Sequence, residues 1–297
     1  MRAFLFASAS AGVLAIAAPA FAQTDTDQPD EQRAAQASRD IITVTATRRE
    51  ERLQDVPLSV TTFSQAELDA RGLVGYEGLA FETPGVVLNR PTANFNNFTA
   101  RGIATNGYNA NLQSTVAIYI DELPISANGN STILDPSLYD VERIEFLRGP
   151  QGTLFGSGSL AGALRIITRS PDLNTFEASV LGDVGVTGSS SIRQRYNAMV
   201  NMPLVEDQLG LRVVGFLRHE EGYVDNIGTG ISNADTLEAW GGRATLLWQP
   251  TDRLSLRFLV SREESNPQDS SLTNPLLGRD IRISDRPDRF TGELTNY

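Results

Sequence analysis

Between residues 177 and 262 the chain repeats one pattern five times: a stretch of strand length in which apolar and polar residues alternate. A period of two sends successive side chains to opposite faces of a sheet, so each stretch makes a strand with one apolar and one polar face. Ala178, Val180, Gly182, Val184 and Val186 share a face of the first, against Glu177, Ser179, Asp183 and Thr187. The second sets Tyr196, Ala198, Val200 and Met202 opposite Arg193, Arg195, Asn197 and Asn201. Leu209, Leu211, Val213 and Leu217 line the third, where Val214 and Phe216 blur the pattern. In the fourth, Trp240, Ala244, Leu246 and Trp248 are read as opposing Glu238, Arg243 and Thr245. In the fifth, Leu254, Leu256, Phe258 and Val260 oppose Arg253, Ser255 and Arg257.

Alternation by itself fits a soluble β-sandwich as well as a membrane wall. The tryptophans discriminate. Trp240 and Trp248 fall on one face, separated by about 26 Å at ~3.3 Å per residue. That is close to the ~25 Å apolar band of an outer-membrane barrel, and it puts one indole at each lipid interface. The connections agree: "PLVEDQ" and "PTD" are short, whereas the links at 220–236 and beyond Glu263 are long, as periplasmic turns and extracellular loops would be. The first external link, "GSSS", departs from that rule.

Upstream, "MRAFLFASASAGVLAIAAPAFA" carries an early arginine, an apolar run broken at Pro19 and the small-x-small ending Ala20-Phe21-Ala22. It reads as an export signal over 1–22, cut before Gln23, and it is too short and interrupted for a membrane span. Residues 23–39 lack aromatic and β-branched apolar residues and read as a flexible tether. Next, "DIITVTATRR" is a short β-prone segment. It is either a sheet edge or a peptide that a partner binds by strand addition.

From Gln54 to Arg169 the composition is globular and mixed. "VPLSVTTF" is a strand; "SQAELDARG" is a helix opened by the capping pair Ser64 and Glu67 and closed by Gly72. "TPGVVLN" and "STVAIYIDELPI" are strands, the second presenting Val116, Ile118 and Ile120 to a core. The asparagine-rich loops "NFNNF" and "TNGYNANLQ" suit a surface, with ligand contact as the functional alternative to plain solvation.

The stretch "VERIEFLRGPQGTLFGSGSLAGALRIITRSP" poses a choice between a phosphate cradle and close backbone packing. "GSGSLA" fits a dinucleotide fingerprint formally, but that site needs a helix amino terminus after the glycines. Here "ALRIITRSP" follows, a β-branched strand stopped by Pro171. No nucleophile elbow is framed either.

Composition narrows the chemistry further. With no cysteine, there is neither a disulfide framework nor a thiolate metal site. The single histidine, His219, lacks the second histidine of a zinc-protease spacing and reads as a strand-end residue. A net charge of −11 repels duplex nucleic acid. No nucleophile-base pair or metal cluster appears, so the chain is not read as an enzyme and no cofactor or metal site is assigned.

The glycine stretch resembles the plug-domain signature of TonB-dependent outer-membrane receptors. "DIITVTATRREERLQDVPLSVTTFS" resembles their TonB box and plug entrance, and "ARGIATNGY" and "VAIYIDELPI" resemble further plug segments in the right order. The resemblance covers about 40–262. It implies an α+β plug domain followed by antiparallel strands of a transmembrane β-barrel, 22 strands in the full family fold and incomplete here. The implied divisions are a signal peptide at 1–22, a tether at 23–39, a TonB box at 40–48, a plug at 49–170 and the first barrel strands at 175–297. The implied activity is energy-coupled import of a scarce ligand, foremost a ferric siderophore, through the outer membrane. The implied partners are outer-membrane lipid and TonB with ExbB and ExbD.

Carried onto this sequence, Ile41, Ile42, Thr43, Val44, Thr45 and Ala46 are the segment TonB would capture. Arg101, Glu142, Arg143, Glu145 and Arg148 are the charges expected to pair with the barrel wall as a latch, because buried pairs are costly to half-break. Gly149, Gly152, Gly156, Gly158 and Gly162 serve turns and close packing. Ligand contact is expected near Asn94, Phe95, Asn97, Asn106, Tyr108 and Asn111. Five strands cannot enclose such a plug, so the chain reads as the front of a longer receptor or a truncated product, and "RFTGELTNY" reads as no closing strand. The alternative is a non-transporting fragment, or a signalling or scaffold protein that binds TonB. Signal-transducing members usually carry a further domain ahead of the box, for which 17 residues are too few.

Overall fold

The computed structural model describes residues 43–45, 48–49, 51–90, 92–104, 114–125, 134–186, 191–278, 280–289 and 291–296. The signal peptide, the tether, and Ile41, Ile42 and Ala46 lie outside them. Two short strands come first, β1 (Thr43–Val44) and β2 (Glu51–Arg52), paired antiparallel. Then follow β3 (Ser59–Ser64), α1 (Gln65–Arg71), α2 (Tyr76–Glu82), β4 (Val86–Asn89), β5 (Asn97–Ala100), β6 (Val116–Ile120), β7 (Leu123–Pro124), β8 (Val141–Arg148), α3 (Gly152–Phe155) and β9 (Gly162–Thr168). The remaining strands are β10 (Glu177–Val186), β11 (Ile192–Val205), β12 (Leu209–Glu220), β13 (Asp225–Asn226), β14 (Leu237–Thr251), β15 (Leu254–Pro267), β16 (Ile281–Arg282) and β17 (Gly292–Asn296).

The plug is a five-stranded sheet in the order β3-β8-β9-β6-β7, with β6 and β9 parallel. The expected first helix forms as α1. Ser64 accepts from the Glu67 amide while the Glu67 carboxylate accepts from the Ser64 amide, and Gly72 closes the helix in the left-handed region. That backbone hydrogen bond, more than the serine hydroxyl, holds the Glu67 carboxyl below its ordinary pKa. Ser64→Ala is expected to cost about 0.5–2 kcal/mol of plug stability in a denaturant titration. Toward the Glu67 carboxylate, alanine keeps the amide bond and loses only the hydroxyl's. That contribution is present above the unfolded pKa of Glu67 and lost as pH falls through the lower folded one, so that part of the penalty should shrink in acid.

Strand β6 differs from expectation. Every residue of β6 is buried, because it has a core on each side. Val116, Ile118 and Ile120 join the larger cluster with Phe98, Ile144 and Phe146. Ala117 and Tyr119 join a smaller one with Val44, Leu147, Phe155 and Ala163. The glycines serve close approach, as read: Gly149 sits at φ 107°, and a Cβ on Gly162 would run into the Leu147 carbonyl. Gly152 has open space where a Cβ would go.

The second sheet has six strands in the order β10-β11-β12-β14-β15-β17, all antiparallel. Gly292–Asn296 adds a sixth strand on β15 and, among the described residues, does not pair with β10, so it does not close the sheet. The register corrects one face: Glu238 shares the parity of Trp240 and lies outward with it, 68% exposed, opposite His219.

Candidate functional site

This second sheet, or wall, is inverted relative to a water-soluble one. Its apolar face is bare: Val180, Val184, Leu217, Phe258 and Val260 are exposed, Val180 by 82%. Its polar face is covered: Asn201, Arg212, Arg218, Thr245, Glu263 and Ser265 are buried. Val214 and Phe216 blurred the third strand because they point to the covered side; Val214 is 3% exposed, and Phe216 lines small cavities there with plug residues Leu138 and Ile120. Register places Tyr196, Leu217 and Trp240 in one row across three strands, and Leu209, Trp248 and Leu256 in another. Aromatic residues thus mark two levels on the bare face.

The plug covers the polar face through charge. Arg212 grips Asp140 with both arms, Nη2 to Oδ1 at 2.6 Å and Nε to Oδ2 at 2.8 Å. Arg243 donates to the carbonyls of Tyr139 and Asp140 at 2.8 and 2.6 Å. Arg218 lies 3.6 Å from Asp135, and Arg257 donates to Thr168 Oγ1 at 2.7 Å with Asp121 at 3.4 Å. Asp135 also accepts from the Tyr76 amide at the start of α2, so one carboxylate ties a plug helix to the wall. The wall cations are all arginine, whose planar fork suits bidentate pairing. The acid partners were not singled out in the sequence, although inward arginines at Arg243 and Arg257 were the available signal.

The charges named as a latch are placed differently. Glu142 pairs with Arg143, Glu145 with Arg143 and Arg165, and Arg148 donates to the Pro84 carbonyl, all within the plug. Arg101 lies over Gly149. Among the described residues the plug-to-wall ion pairs instead run through Asp121, Asp135 and Asp140. The reason is register: β8 is flanked by β3 and β9, so Glu145 faces Arg165 across a plug ladder.

The asparagine loop is corrected as well. Asn94, Phe95 and Asn97 are 2%, 4% and 5% exposed, so they are not a surface for ligand. Asn94 instead exchanges hydrogen bonds with Ser265 of the wall. Asn106, Tyr108 and Asn111 lie outside the described residues. A cleft of about 470 Å³ opens beside this loop, lined by Arg90 and Thr92 of the plug and by Arg193, Arg195, Glu221 and Tyr223 at the long-loop end of the wall.

The segment at Thr43–Thr45 is docked. Val44 is fully buried, and Thr45 bonds to Glu145 and Arg165.

Residues 52–163 match the TonB-dependent Receptor Plug Domain family model. These residues carry a plug domain of the TonB-dependent receptor family. The pesticin receptor of Yersinia pestis is 31% identical over 288 residues, covering 94% of this chain and 39% of its own length. The ferripyoverdine receptor of Pseudomonas aeruginosa is 29% identical over 132 residues, 43% of this chain and 15% of that protein. Among solved structures, the ferric yersiniabactin uptake receptor of Yersinia pestis superposes with a TM-score of 0.58 at 28% identity, over 70% of this chain and 32% of that one. The ferripyoverdine-bound receptor of Pseudomonas aeruginosa shares the fold, with a TM-score of 0.62 over 77% of this chain and 28% of that one. The chain spans about two fifths of the length of the curated relatives it matches along most of its own length.

Proposed function

We propose that the chain supplies the plug and the first wall strands of an outer-membrane importer, exported by a cleaved signal peptide. Its cargo is a scarce ligand, foremost a ferric siderophore, and its energy comes from TonB with ExbB and ExbD. The observation that carries this reading is the inverted wall, polar where it meets the plug and apolar where it is bare, with aromatic residues at two levels. Ligand enters from the long-loop side, where the cleft at Arg90 and Arg195 offers charged and hydroxyl contacts. TonB then captures Ile41 to Ala46 and draws the plug open. Deleting Ile41–Ala46 in the full-length receptor is expected to abolish energy-dependent uptake of labelled ferric siderophore while ligand binding to cells persists; undiminished uptake rejects the mechanism.

The lipid-facing reading has its own test. Val213 lies midway between Leu209 and Leu217, the register partners of Trp248 and Trp240. An arginine there would sit at the bilayer midplane and cost about 2–4 kcal/mol, against ~0–1 kcal/mol for Leu217→Arg near the interface. Denaturant unfolding from lipid vesicles should reproduce that gradient; equal costs at both depths would show that the face does not meet lipid.

A further inference from the structure

Thr45 is held by three charged side chains at once. Its amide donates to Glu145 Oε1 at 2.8 Å, its carbonyl and hydroxyl each accept from Arg165 Nη1 at 2.6 Å, and Arg143 Nη2 reaches the hydroxyl at 3.3 Å. Glu145 and Arg165 are 0% and 1% exposed, lie opposite each other on β8 and β9, and bond to each other at 3.0 Å. The Arg165 Nε atom is buried without a hydrogen-bond partner among the described residues. The β1-β2 ladder is only two residue pairs long, so it adds little grip. Val44, one residue back, completes the smaller core cluster with Val56, Leu147, Phe155 and Ala163.

We propose that the Glu145–Arg165 pair is a pin through which withdrawal of Thr43–Thr45 opens the small core of the plug. Withdrawing Thr45 takes two acceptors from Arg165, which keeps Glu145 and Glu122, and two donors from Glu145, which keeps Arg143 and Arg165. The charges left behind are desolvated and short of partners, a state that buried groups relieve only by reaching water. Val44 leaves with Thr45, so the cluster it had sealed loses a wall beside Leu147 and Ala163, at the ends of β8 and β9 that meet. Coupling of this kind is reciprocal: whatever loosens the small cluster also loosens the segment. The inference rests on the transport reading only for the statement that this segment is pulled; the coupling is a property of the plug alone.

The chain has no cysteine, so one introduced thiol is unique within these 297 residues, and the unsubstituted receptor labelled in parallel sets the background. Val44→Cys, Ala163→Cys in the small cluster and Ala100→Cys in the larger cluster report three fully buried positions. Each is placed in the full-length receptor in outer-membrane vesicles and labelled with a maleimide, with and without Thr45→Val, which exchanges the hydroxyl for a methyl group of similar size. Loss of a hydrogen bond to a charged group corresponds to about tenfold in the opening equilibrium. Labelling at Val44→Cys and Ala163→Cys is expected to rise together by about that factor, with Ala100→Cys unchanged. A rise at Val44→Cys alone overturns the coupling, and so does no rise anywhere. Glu145→Gln, which keeps shape and loses charge, is expected to act in the same direction. Adding the periplasmic domain of TonB tests the transport reading separately. If it leaves Val44→Cys labelling unchanged while Thr45→Val opens both sites, that reading fails and the pin stands.

Discussion

Asp140→Asn is expected to lower the stability of the plug within its wall by about 3 kcal/mol or more, because it leaves buried arginines facing a neutral group. Arg212 is 2% exposed and Asp140 6%, and their two-armed contact is the best-formed bond between plug and wall. Arg243 approaches the same carboxylate at 3.7 Å, so one substitution disturbs two cations. Asparagine is the right replacement because Asp140 sits at φ 58°, a left-handed conformation that asparagine tolerates and most residues do not. Hydrogen exchange of the β8 and β9 amides in the detergent-solubilised receptor measures the effect. A comparison with Asp55→Asn sets the scale, since the Arg52–Asp55 pair is exposed at both ends and such pairs contribute about 0–1 kcal/mol. If the two variants cost the same, the wall does not hold the plug through Asp140.

Phe146→Ala is the second large effect, about 3–5 kcal/mol from lost burial and the cavity that remains. Phe146 is 1% exposed on β8 and meets Phe98 of β5 edge-on at 5.9 Å; Phe98 in turn meets Tyr76 of α2 at 5.1 Å. Three elements therefore share one aromatic stack, and its loss should show as a reduced midpoint in urea with little change in slope. Tyr76→Phe in the same stack is the contrasting case. The Tyr76 hydroxyl is buried without a partner among the described residues, and burial pushes its pKa well above the ordinary phenol value, so it stays neutral. Removing it should be neutral or stabilising. A cost near that of Phe146→Ala would mean that the hydroxyl has a partner.

Much of the fold was legible because the information is local. The period-two alternation of 177–262 gave the strands, Trp240 and Trp248 fall in two separate rows of the bare face as their spacing implies, and Ser64 with Glu67 gave a capped helix. The site was less legible because its contacts join distant residues. Asp140 and Arg212 are 72 positions apart, Asn94 and Ser265 171, and nothing near either partner marks the other. A polar asparagine loop reads as surface from its composition, yet Asn94 and Asn97 are buried because a wall strand stands over them. Glu145 reads as one more charge on a strand whose neighbours were unknown until β9 set Arg165 opposite it.

The amino-acid order alone settled the five long wall strands, the apolar face of each with Glu238 as the exception, and that the glycine stretch leads into a strand instead of a phosphate-binding helix. Those properties follow from side-chain parity and backbone stereochemistry, which need no knowledge of what lies across the sheet. Only the tertiary structure decided which charges meet. An ion pair buried between plug and wall depends on two surfaces being brought into register, and it assigned the plug-to-wall contacts to Asp121, Asp135 and Asp140, and Glu145 to the clamp on Thr45.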